Sequence, residues 1–203
     1  MDEQQASLKE LHQIKQMMER SSRFISLSGL SGISAGILAL LGAWLAVQKI
    51  SRYAHGTGID YETLVTQLIF IAAGVLITAF VVAFIFTSLR SKKDGVSIWG
   101  VTTYRLLINL AIPLVAGAFF VFRILQMEHI FLIAPTCLIF YGLALINASK
   151  YTLGEIRYLG YCELVLGIIN LWVPGYGLVF WAAGFGVLHI IYGIIMWWKY
   201  ERV

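Results

Sequence analysis

The sequence predicts an all-α, polytopic membrane protein with six transmembrane helices, both termini cytoplasmic, and an N-terminal amphipathic helix. Three observations lead there. Asp, Glu, Lys and Arg make up only 13% of the 203 residues, against roughly 25% in an average soluble domain. Hydrophobic residues reach 59%, too many for a soluble globule of this size to hide. The apolar residues also fall in long uncharged runs, and the basic residues cluster in the short connections between them.

Residues 1–23 differ from the rest. They carry Asp2, Glu3, Glu10 and Glu19 beside Lys9, Lys15, Arg20 and Arg23, with Leu8, Leu11, Ile14, Met17 and Met18 at helical spacing. This predicts a short cytoplasmic amphipathic helix, resting on the membrane or on the protein itself, or else docking a partner or a second copy. Acids ahead of the apolar stretch, its length and the lack of an A-x-A site argue against a signal peptide.

The transmembrane domain occupies residues 24–203. The first two spans, 24–47 and 64–89, contain no Asp, Glu, Lys, Arg or His, and each exceeds the ~20 residues that cross a bilayer core. The third, 105–125, includes Arg105 and Arg123, whose long stems can snorkel to the interface. The fourth is 129–149. The fifth, 157–173, is the shortest and holds Glu163, and the sixth, 176–198, holds His189. Pro174-Gly175 joins the last two as a tight hairpin. Pro113 and Pro135 are expected to kink the third and fourth spans.

With six spans, 12 of the Lys and Arg residues fall on the side of the termini and 3 (Lys49, Arg52 and Arg123) on the other. The positive-inside rule makes the first side cytoplasmic, with the chain in a cell membrane. The net charge of +4 therefore reports membrane orientation rather than a nucleic-acid face. Cys137 and Cys162 lie inside apolar stretches and give no disulfide framework. His12, His55, His129 and His189 offer no two residues at matched depth for a haem, and no H-E-x-x-H or Gly-rich phosphate loop occurs. The expectation is a non-enzymatic protein without metal or cofactor, whose first partner is the lipid bilayer.

Ionisable residues inside a membrane are expensive, at roughly 2.5–3.5 kcal/mol on insertion scales. Glu163 lies eleven residues before Pro174 and His189 fourteen after Gly175. In a helical hairpin that is an axial offset of about 4.5 Å, within reach of two long side chains. Asn109, Asn147, Tyr161 and Tyr192 fall at comparable depth and are expected to line a polar pocket with the pair, open to the cytoplasm. Two readings of the pair stand side by side. It either locks two helices together or carries a proton, since His titrates near neutral pH and a buried Glu can approach it.

Small residues mark helix contacts. Ser28, Gly32 and Gly36 form a stripe on the first span, and Ala182, Gly186 and Gly193 offer another on the sixth. These suit close packing within the bundle or between copies.

The last hairpin also carries a resemblance. Gly160, Glu163, Gly167, Asn170, Pro174 and Gly175, followed by Gly184, Gly186, Tyr192 and Gly193, form a pattern similar to the hairpin of HdeD-like proteins. Those are small six-span bacterial inner-membrane proteins associated with acid resistance. The resemblance covers about forty residues and implies a stress-related membrane protein without established chemistry. It assigns no functional residues. The first functional reading is a non-enzymatic inner-membrane protein of stress or envelope type that acts through helix packing or a protein partner. The alternative is a small proton-linked transporter or channel built on Glu163 and His189.

Overall fold

The structure, a computed structural model, describes residues 27–56, 58, 60–95 and 97–202. The predicted amphipathic helix of residues 1–23 lies outside these. Among the described residues six helical rods follow one another and no strand occurs. They are α1 (Gly29–Ala54), α2 (Tyr61–Lys93), α3 (Val101–Gln126), α4 (Ile133–Ala148), α5 (Ile156–Trp172) and α6 (Gly177–Tyr200). One 3₁₀ turn, Ile130–Leu132, leads into α4, and another, Ser149–Tyr151, leaves it.

Five of the rods are long and apolar enough to cross a membrane: α1, α2, α3, α4 with its flanking turns, and α6. The other, α5, has 17 residues, a length of about 25 Å. Its end has a local cause. Val173 precedes Pro174, which disfavours helical geometry, and it sits at φ −123°, ψ 72°. Gly175 then turns the chain at φ +91°, where a side chain would be strained.

Other boundaries also differ from the sequence expectation. The first helix runs past residue 47 to Ala54, because Lys49 and Arg52 reach outwards without breaking it. Asp60 caps α2 by accepting from the Thr63 amide at 3.0 Å. Arg90, Lys92 and Lys93 occupy the last turn of α2, where cations favour the carbonyl end. Pro135 does not kink the middle of a span. It lies in the first turn of α4, where a missing amide proton costs no helical bond.

The rods alternate in direction. α2 lies along α1, α1 along α6, α6 along α4 and α5, α5 along α4, and α4 along α3. Hydrogen bonds tie four helix ends together, and a further one joins α3 to α4. Arg90 at the end of α2 donates to the Leu27 carbonyl before α1, to Glu201 Oε1 at 3.0 Å and to the Tyr200 carbonyl at 3.3 Å. Glu201 also accepts from Ser28 Oγ at 3.2 Å and from the Gly29 amide. Lys199 and Tyr200 reach Glu155 at the start of α5. Asn147, late in α4, donates to the Asn109 carbonyl early in α3 at 2.9 Å.

Glycines set the closest crossings. A Cβ on Gly142 of α4 would stand 2.7 Å from the Gly160 carbonyl oxygen of α5, and one on Gly160 would stand 2.8 Å from that of Gly142. The two backbones therefore touch, as small residues allow. The stripe expected on α1 is used in the same way within the chain. Gly32 faces Gly193 and the His189 carbonyl, and Gly36 faces the Gly186 carbonyl. Ser28 bonds Glu201, and Ala182 is half-buried in α6. The outward faces of the bundle are largely apolar, with Phe70, Phe80, Phe119 and Trp172 more than half exposed. Such a surface suits lipid rather than water.

Candidate functional site

The helical register of α5 turns Glu163, Gly167 and Asn170 to the inside of the bundle, all buried. Their spacing of four and three keeps them on one face. Glu163 is 0% exposed, beneath Leu138 of α4 and against Gly184 of α6. His189 of α6 is 7% exposed, and its Nδ1 stands 3.4 Å from Glu163 Oε1. The structure therefore brings together the two residues that the sequence places at similar depth.

The imidazole is held from both sides. Nδ1 lies 3.0 Å from the Gly184 carbonyl oxygen, which can only accept, so Nδ1 carries a proton. Nε2 lies 2.8 Å from the Tyr141 hydroxyl of α4. In the neutral ring Tyr141 is then the donor and Nε2 the acceptor. Tyr141 also stacks on the His189 ring with centroids 5.4 Å apart, and Phe185 lies 5.0 Å from the Tyr141 ring.

Glu163 is not satisfied in this way. Neither carboxyl oxygen has a hydrogen-bond partner among the described residues. The contact with Nδ1 is within ion-pair distance, but that proton is directed to Gly184. A buried polar group without a bond costs about 1–3 kcal/mol. The site thus contains one carboxyl that bears this cost, next to a histidine and a tyrosine that form a continuous chain.

The other residues expected in the pocket sit elsewhere. Tyr161 is 46% exposed and contacts Tyr158 on the outer surface. It precedes Glu163 by two residues, about 200° around the helix, so the two cannot share a face. Asn109 bonds the Arg105 carbonyl, and Asn147 bonds Asn109 and Lys150. They join α3 to α4 without a hydrogen bond to the pair. Tyr192 packs against an apolar cluster of Leu145, Leu153, Ile156, Leu159 and Met196, and makes no hydrogen bond to the pair among the described residues. Along α4, α5 and α6 that cluster lies between the pair and the end that carries Glu155 and Lys199. Glu163 and His189 are themselves buried.

Outside the bundle core, Glu155 is poised differently. Burial opposes its charge, but hydrogen bonds from Lys199 and Tyr200 outweigh this and hold the carboxyl below its usual range.

Compared with known protein families, curated proteins and solved structures, the chain matches none. Among the described residues no group of three or more His, Cys, Asp or Glu is placed to hold a metal ion.

Tyr141 was not singled out by the sequence. A signal exists, since a Tyr in the middle of an apolar span needs a partner for its hydroxyl. The partner itself is not legible without the packing of α4 on α6. Arg90 counts in the sequence only among the basic residues between the second and third spans, and Glu201 was not singled out.

Proposed function

We propose that this chain is a small integral membrane protein that binds and passes protons at Glu163, with His189 and Tyr141 as its relay. The observation that carries the reading is the wholly buried carboxyl, without a hydrogen bond among the described residues and 3.4 Å from a histidine nitrogen. A pair retained as helix glue satisfies its own polar atoms, whereas an ionisable group left costly inside a membrane marks a functional site.

The proton inventory balances along the chain. A proton arriving at the Tyr141 oxygen releases the hydroxyl proton to His189 Nε2. The imidazolium then gives its Nδ1 proton to a Glu163 carboxylate oxygen. The ring is left with its proton on Nε2 and a bare Nδ1 facing the Gly184 carbonyl. That acceptor-to-acceptor contact is unfavourable and drives the return.

The same proposal includes α5 as a sixth span, with the gathered helix ends on the cytoplasmic side of a bacterial inner membrane. The alternating directions of the rods and the basic residues at that face support it.

Infrared titration tests the site. The difference between wild type and Glu163→Gln should contain a carboxyl signal that rises and falls with pH in the folded protein. Identical spectra across the titration would leave the pair as helix glue.

A further inference from the structure

Residues Ala182–Leu188 of α6 form a π-helical segment. Such hydrogen bonding is rare, occurs mostly as single turns inside α-helices, and is frequent at functional sites. Here the segment lies opposite Glu163 and turns one residue, Gly184, towards the site in two ways. Its carbonyl oxygen lies 3.0 Å from Nδ1 of His189, five residues on. Its missing side chain leaves the place that the Glu163 carboxyl occupies. A Cβ on Gly184 would meet Glu163 Oε2, and would stand 2.5 Å from Leu138 Cδ2. Gly186, two residues further along the same segment, faces Leu40 of α1 instead.

We propose that Gly184 is the positioning residue of the proton site, with its carbonyl fixing the His189 ring and its bare Cα seating the Glu163 carboxyl. The inference rests on the reading of Glu163 as a proton carrier. It gives the π segment a role, because the extra residue in the turn aims a carbonyl that selects the protonated nitrogen and leaves the other for Tyr141. The titratable groups around the ring are few. α4 brings Tyr141 at 2.8 Å, with Cys137 one turn earlier, and α5 brings Glu163 at 3.4 Å, with Cys162 exposed beside it. α6 adds Tyr192, on the apolar cluster. The stretch of α1 from Gly29 to Val47, which packs here, carries no titratable side chain.

The experiment follows the pH midpoint of the Glu163-dependent infrared carboxyl signal in Gly184→Ala, alone and together with Leu138→Ala. The double variant removes the apolar half of the collision and keeps the half against the carboxyl, so it provides a folded test if the single one unfolds. Gly186→Ala is the control within the same segment. Both Gly184 variants should move the midpoint by about one pH unit or more, a tenfold change in proton affinity, while Gly186→Ala keeps the wild-type midpoint. An unmoved midpoint in the folded Gly184 variants, or an equal shift in Gly186→Ala, overturns the assignment. A wild type without any Glu163-dependent signal overturns the proton-site reading as well, and so is told apart from a failure of Gly184 alone.

Discussion

Replacing Glu163 by Met separates a functional carboxyl from a structural one by the sign of a stability change. Glu163 is fully buried, and neither of its oxygens has a hydrogen bond to the described residues. Removing an unsatisfied buried polar group recovers about 1–3 kcal/mol. Met is similar in length and adapts to irregular spaces, so little new cavity is expected beside Leu138 and Gly184. His189 keeps its contacts to Tyr141 and the Gly184 carbonyl, so the substitution creates no new orphan. The expected result is a gain of about 1–3 kcal/mol, read by reversible unfolding in detergent micelles near neutral pH. A bonded buried pair behaves in the opposite way, since removing one partner costs about 3–5 kcal/mol. A clear loss of stability in Glu163→Met would refute the argument that this carboxyl is retained at a cost.

Other outcomes follow from the same geometry. Arg90→Met leaves Glu201 without its cation and the Leu27 and Tyr200 carbonyls without their donor, and unfolding should show a loss of about 3–5 kcal/mol, as for a broken buried pair. Gly160→Ala forces apart two touching backbones, and the same assay should show a loss of about 1–3 kcal/mol from overpacking. Because the folded Glu155 carboxyl titrates below its usual range, its contribution should be complete above the unfolded value of about 4.3. It should vanish as pH falls through the lower folded value, and a Glu155→Gln variant should lose that part of the acid dependence. Single cysteines at Gly58 and Ser97, in a background without Cys137 and Cys162, should be labelled from opposite sides of the membrane. Labelling from one side contradicts the alternating arrangement.

Much of the fold was legible because membrane burial writes long apolar runs into a sequence. The run of residues 64–89 and the Pro174-Gly175 turn each reappear where expected, as α2 and the α5–α6 connection. Helix ends were less legible. Lys49 and Arg52 mark the end of apolar composition, but the hydrogen-bonded helix continues beneath them to Ala54. The pairing of Glu163 with His189 was accessible from counting along a hairpin, because rise per residue fixes depth. Which residues share a face with them was not, because rotation about each axis depends on packing. Tyr161 points out while Tyr141 points in, and the contact of Gly142 with Gly160 that sets the α4–α5 crossing has no local signature. The π segment was equally hidden, since Ala182–Leu188 reads as ordinary apolar helix.

Whether Glu163 carries protons across the membrane is decided by proton flux after a pH jump in proteoliposomes, with wild type compared against Glu163→Gln of verified fold. Flux above that of empty liposomes is expected for wild type, together with its loss in the variant. Wild-type flux no greater than that of empty liposomes, or flux undiminished in Glu163→Gln, would contradict the role given to this carboxyl.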